Sequence, residues 1–174
     1  MTTREFEAVV DRHKAMVYSI AYNFFGEITI AEEVAQDVFL ELYRASERLT
    51  DPLHLKHWLR RTATHRSIDT LRRRTCRQEI QMEVLPEVAV PAREPDPLAS
   101  DRLSRLVRTL PEKPRAVMLL RYGEDMDVGE IGKILDMPVP TVWSHIRRSI
   151  ALLRDKMQVP GTEECNERLR QGTS

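Results

Sequence analysis

The chain has 174 residues, 41% of them hydrophobic, and its 27 Lys and Arg balance 27 Asp and Glu to a formal charge of zero. Bulk neutrality at face value argues against nucleic acid, and no run approaches the ~18 apolar residues that membrane insertion needs. The start, Met1-Thr2-Thr3-Arg4-Glu5-Phe6, has no signal-peptide core and Cys76 and Cys165 form no C-x-x-C pair, so a cytoplasmic protein without disulfide framework or zinc finger is expected.

In chain order, Phe6, Val9, Val10, His13, Val17, Ile20 and Phe24 recur at the three-and-four spacing of an amphipathic helix, ended by a turn at Gly26. Thr29-Ile30-Ala31-Glu32 reads as a capping box opening a second helix with Ala31, Val34, Ala35, Val38 and Leu42 inward. Asp51-Pro52 breaks the chain before a third helix, about Leu55 to Arg77, with Leu55, Trp58, Leu59, Ala63, Ile68 and Leu71 inward. Pro86, Pro91, Pro95 and Pro97 beside Glu83, Glu87, Glu94 and Asp96 then read as an extended acidic linker. A short helix carries Leu98, Leu103, Leu106, Val107 and Leu110, and Pro111-Glu112 starts another burying Ala116, Val117, Leu119 and Leu120. Asp127 with Glu130 caps a helix of Val128, Ile131, Ile134 and Leu135. After the turn Asp136-Met137-Pro138 a long helix aligns Val142, Ile146, Ile150, Leu153 and Met157, with Pro140 in its first turn. The expected fold is all-α: two small helical domains, 1–78 and 99–158, joined by an acidic Pro-rich linker, 79–98, and followed by a frayed tail, 159–174.

The zero charge is a cancellation between blocks. Residues 27–51 sum to minus five, 55–77 to plus seven, 78–101 to minus five, 102–123 to plus five, 124–136 to minus four and 137–159 to plus three. Seven acids followed by eight bases suggest two partners of opposite sign. On the acidic helix Glu33, Asp37, Leu40 and Arg44 share one face opposite the core stripe, a candidate partner surface. The basic helix presents Arg60, Arg61, His65, Arg72 and Arg73 outward, a strip suited to a phosphate backbone.

A short helix, a tight turn and a longer basic helix over Asp127 to Met157 form a helix-turn-helix pattern. Its core spacing leaves Thr141, Trp143, Ser144, His145, Arg147 and Arg148 facing out, a DNA-reading candidate that combines donors with very little acid. His54, His57 and His65 lack a carboxylate or thiol cluster to complete a metal site, so no metal or cofactor is expected.

At these residues the chain resembles the bacterial RNA polymerase sigma factors of the extracytoplasmic-function (ECF) group of the sigma-70 family, which keep only sigma domains 2 and 4. Ala31-Glu32-Glu33-Val34-Ala35-Gln36-Asp37-Val38-Phe39-Leu40 matches the family's polymerase-binding helix. His57 to Ala63 and Ser67 to Arg74 match the part that reads the -10 element. Leu110-Pro111-Glu112, Arg115, Leu119-Leu120-Arg121-Tyr122, Glu130-Ile131 and Pro138 to Val142 follow domain 4.

The resemblance implies that Glu33, Gln36, Asp37 and Leu40 bind core RNA polymerase. It implies that Arg60, Arg61, His65, Arg72 and Arg73 bind the -10 promoter DNA and that Thr141, Trp143, Ser144, His145, Arg147 and Arg148 bind the -35 element. It further implies flipped -10 bases held by the loop at about Glu47 to His54, an anti-sigma protein as a restraining partner, and no catalytic centre. A response-regulator type helix-turn-helix regulator is an alternative, which requires a receiver or ligand domain upstream. A helical hydrolase would need carboxylates or histidines converging on inward faces.

Overall fold

The computed structural model describes residues 2–45, 51–82 and 99–158, and these form seven helices with no strand among them: α1 (Thr3–Phe25), α2 (Ile28–Ala45), α3 (Pro52–Met82), α4 (Ala99–Arg108), α5 (Glu112–Tyr122), α6 (Val128–Leu135) and α7 (Val139–Gln158). The segments around the expected linker and the tail, 83–98 and 159–174, lie outside the described residues, as do 46–50 of the expected base-holding loop.

Local chemistry sets the helix ends. Thr2 and Glu5 form a capping box at α1, with the Thr2 N–H donating to the Glu5 carboxylate at 2.7 Å. Gly26 ends α1 in the left-handed region, φ 72°, and its N–H donates to the Tyr22 carbonyl at 2.7 Å. A side chain at Gly26 would also run into the Arg108 guanidinium of α4. Helix α2 begins at Ile28, so Thr29 lies inside its first turn and does not cap it; the Ala31 N–H donates to the Glu27 carbonyl at 3.1 Å. Asp51-Pro52 starts a helix instead of breaking the chain. The Asp51 carboxylate accepts from the His54 N–H at 2.9 Å, and Pro52 takes the first helical position, where its missing N–H costs nothing. The third helix also runs past the expected domain boundary at residue 78, to Met82.

Helices α1, α2 and α3 enclose a first core of Val17, Ile20, Ala21, Ile30, Ala31, Val34, Val38, Leu42, Leu55, Leu59 and Ala63, with Trp58 half-buried against it. Helices α4 to α7 form the second unit. Ala116, Val117, Leu120, Met126, Ile131, Ile134, Val142 and Ile146 are buried there, and Val107, Leu110, Met118 and Leu153 pack alongside. Leu103 and Met157, expected inward, are exposed. The turn between α6 and α7 is tight: Asp136 adopts φ 52°, the Met137 N–H donates to the Gly132 carbonyl at 2.9 Å, and a Cβ on Gly132 would sit 2.8 Å from the Met137 carbonyl oxygen.

The two units pack directly on each other. Phe24 from the end of α1 and Ile68 from α3 belong to the second core, not to the first. Arg115 of α5, buried to 9% exposure, donates to the Phe24 carbonyl at 3.1 Å and to the Leu110 carbonyl at 3.0 and 3.2 Å, and also bonds the Arg108 carbonyl. Its guanidinium stands 5.7 Å from the centre of the Phe24 ring.

Candidate nucleic-acid interface

Helix α2 carries the acidic face as expected. Core residues at three-and-four spacing turn Glu33, Gln36, Asp37 and Leu40 to solvent, with Leu40 48% exposed. Tyr43, one turn beyond and 65% exposed, adds an aromatic edge that packs against Phe6 with ring centroids 5.4 Å apart. The sequence reading missed Tyr43, although it lies three residues after Leu40. Between α2 and α3 an open groove of about 540 Å³ has Glu33 and Asp37 on one wall and Arg73, Arg74 and Arg77 on the other. Beside it the Glu41 carboxylate accepts from Arg66 Nε at 2.9 Å and Nη2 at 2.7 Å, which holds that guanidinium above its ordinary pKa.

The basic strip of α3 is arranged differently from the expectation. Only Arg73 is open to solvent without a partner on the second unit; it bonds the Asp69 carbonyl and Thr70 Oγ1 of its own helix. Arg60 pairs with Glu124, which follows α5, at 3.3 Å, with side chains 19% and 11% exposed. Arg61 bonds the Asp136 carboxylate at 2.8 Å and donates to the Lys133 carbonyl at 3.1 Å. His65 Nε2 lies 2.7 Å from the Ile134 carbonyl; a carbonyl only accepts, so this nitrogen carries the proton. Arg72 meets Glu112 at 3.3 Å. A polar stripe at non-core spacing cannot distinguish a face turned to water from one turned to acids and carbonyls, and here four of the five residues face the second unit.

Burial pushes the Glu124 carboxyl above its ordinary value, and the attraction of Arg60 offsets this only in part. Arg60 Nε is buried with no hydrogen-bond partner. An orphaned buried donor costs roughly 1–3 kcal/mol, so the contact is polar but imperfectly satisfied.

Helix α7 presents the other candidate face. Thr141, Trp143, Arg147 and Arg148 are exposed, with Trp143 at 48%, whereas Ser144 and His145 are half-buried. Ser144 Oγ donates to the Pro140 carbonyl at 3.0 Å, satisfying an acceptor in the first turn. Partial burial, then the charges of Arg148 and Lys113, hold His145 below the ordinary histidine range, so at neutral pH it offers one ring donor and one acceptor. None of the six bonds or pairs with the first unit in the contacts above, whereas four of the five α3 residues do so with the second.

Known proteins match both units. A sigma-70 region 2 family model matches residues 9–76 and a sigma-70 region 4 model matches residues 100–153. The ECF RNA polymerase sigma factor SigW of Bacillus subtilis is 29% identical over 170 residues, covering 88% of this chain and 89% of that protein. The ECF sigma factor SigE of Mycolicibacterium smegmatis is 32% identical over 166 residues, and the match spans 90% of this chain and 63% of that longer protein. Among solved structures, the sigma factor RpoE in complex with the anti-sigma factor NepR from Bartonella quintana superposes with a TM-score of 0.69 at 16% identity, over 90% of this chain and 99% of that one. CnrH in complex with the cytosolic domain of CnrY gives 0.65 at 23% identity, over 92% of both chains. These two likenesses establish the shared two-domain helical fold. The region 2 match occupies the segment where a response-regulator type protein would need its receiver or ligand domain, so that alternative is not supported.

Proposed function

The chain belongs to the sigma-70 family of RNA polymerase sigma factors, in its extracytoplasmic-function group, and directs promoter-specific initiation; on that premise we propose how its surfaces divide the work. Glu33, Gln36, Asp37 and Leu40 of α2 dock on core polymerase. Arg60, Arg61, His65, Arg72 and Arg73 of α3 bind the -10 element. Thr141, Trp143, Ser144, His145, Arg147 and Arg148 of α7 bind the -35 element, where arginine reaches guanine or phosphate and Trp143 reaches a thymine methyl. The protein acts by binding alone, in the cytoplasm, and an anti-sigma protein restrains it. Among the described residues no helix is long and apolar enough to cross a membrane.

The observation that supports this reading is the segregation of charge by helix. An acidic face with an exposed leucine lies on α2, eight bases against one acid lie between residues 55 and 77, and α7 carries Arg147 and Arg148 with no acid from Val139 to Arg148. Transcription in vitro with purified core polymerase on a randomised promoter library tests it. Selected sequences should share two elements at one fixed separation. Transcripts that start without any shared element would refute the assignment.

A further inference from the structure

Two ion pairs tie α2 to α3, Glu27 with Arg74 at 3.3 Å and Glu41 with Arg66 at 2.7 Å. Alongside them lies the open cleft of about 540 Å³, with Glu33 and Asp37 on one wall and Arg73 and Arg77 on the other. Among the described residues Glu33, Asp37 and Arg77 make no ion pair. Arg73 bonds the Asp69 carbonyl and Thr70 Oγ1 of its own helix, so Arg77 is the exposed cation that the α3 wall leaves unused. We propose that Arg77 completes the polymerase-docking surface of α2, and that the cleft receives a helical segment of core polymerase whose face carries both signs, basic against Glu33 and Asp37 and acidic against Arg77.

The proposal rests on the assignment of α2 to core polymerase and names the chemistry of the surface that meets it. Charge separates the occupants. A phosphate backbone drawn to the arginines meets two carboxylates on the facing wall and is repelled there. A purely basic peptide drawn to the carboxylates is repelled in turn by Arg73 and Arg77. A surface that is itself divided in sign answers both walls at once.

Size and spacing favour a helix laid along the cleft. A volume of about 540 Å³ holds little more than one turn of a helix about 10 Å across, so side chains and not backbone fill it. Side chains three or four positions apart on one face of a helix recur at about 5–6 Å. Glu33 and Asp37 are four positions apart on α2, and so are Arg73 and Arg77 on α3, so both walls repeat at the interval of one helical face. Leu40, exposed three residues after Asp37, continues the α2 face beyond the cleft and offers the same segment an apolar contact.

The test uses the full chain and purified core polymerase. Arg77→Glu is compared with Asp37→Asn and with Arg105→Glu, an exposed charge reversal on α4. Affinity for core polymerase is read by fluorescence anisotropy at low and high salt, helicity by circular dichroism, and open-complex formation on a selected promoter with core in saturating excess. Arg77→Gln replaces Arg77→Glu if the reversed charge lowers helicity.

Arg77→Glu should keep its helicity and bind core polymerase about tenfold more weakly, with a larger loss at low salt than at high. Once core is saturating it should form open complexes as the Arg105→Glu control does. Asp37→Asn should also weaken binding, because a partner of two signs loses an attraction with either change. Affinity of Arg77→Glu equal to or above the control, while Asp37→Asn weakens, places a purely basic partner on α2 and overturns the proposal with the α2 assignment intact. Full affinity for core with a loss of open complexes puts Arg77 on DNA and overturns it as well. Unchanged affinity in both variants removes the α2 assignment itself and the proposal with it.

Discussion

Replacing Arg115 by methionine removes a side chain that bonds three backbone carbonyls while keeping most of its volume. Its guanidinium bonds the carbonyls of Leu110, Phe24 and Arg108, joining the α4–α5 turn to the end of α1. A charged hydrogen bond contributes about 1.5–3 kcal/mol and an abandoned buried acceptor costs about 1–3 kcal/mol. Three stranded carbonyls at the low end come to about 3 kcal/mol. Relief of the buried charge offsets part of this, because burial, reinforced by Arg108, already pushes the guanidinium below its ordinary pKa. Allowing for that offset, the expected loss of unfolding free energy is about 2–3 kcal/mol, read from urea titrations followed by circular dichroism. Arg115→Lys should recover little, since a point donor cannot span three acceptors. A loss no larger than that of the exposed substitution Arg105→Met would show that the carbonyls find other donors and that Arg115 is not the clasp.

Asp37→Arg on α2 should abolish co-purification with core polymerase and leave helicity intact; normal co-purification would remove α2 from the docking surface. Arg148→Ala should weaken binding to the -35 duplex by about 1–3 kcal/mol if it reads a base, and an unchanged upstream footprint would make it a bystander. Acid should strengthen the contact around Glu124. Its carboxyl is raised above the ordinary 4.5 in the folded chain, so its contribution is complete below that value and is lost as pH rises through the raised one. Arg60 and Lys56 are the charges acting on it. As pH is lowered from 7.5 toward 4.5, the unfolding free energy of the wild type should fall less, or rise more, than that of Glu124→Gln, and equal responses would place the titration elsewhere.

Individual elements were legible where one local rule dominated. Asp127 and Glu130 announce α6, and the spacing of Val142, Ile146 and Leu153 fixes the inward face of α7. The acidic face of α2 was legible for the same reason, since Val34, Val38 and Leu42 leave Glu33, Gln36, Asp37 and Leu40 no other side. Ends were harder. Thr29-x-x-Glu32 has the letters of a capping box, but Ile28 is already helical, whereas the same letters at Thr2-x-x-Glu5 do form one. Pro52 was read as a stop because proline breaks a helix interior, yet it equally suits a first position. What periodicity could not carry was the contact between the two units. Phe24 and Ile68 fit the apolar stripes of α1 and α3, and nothing in a stripe tells which neighbour it serves. Glu124 and Asp136 counted only as part of an acidic block until the fold set them against Arg60 and Arg61.

The insertion of Phe24 and Ile68 into the second core has a consequence for the chain's life outside a complex. Both are almost completely covered, at 1% and 6% exposure, and their cover is the other half of the molecule. Parting the halves leaves a phenyl ring and a branched aliphatic side chain in water, facing the apolar floor of Ala116, Val117 and Leu120 that had received them. Two matching adhesive surfaces per molecule favour exchange between molecules, in which the α1–α3 half of one chain seats on the α4–α7 half of another. Open chains at high concentration should therefore form domain-swapped pairs, and dilution or a partner that covers both surfaces should return them to single molecules.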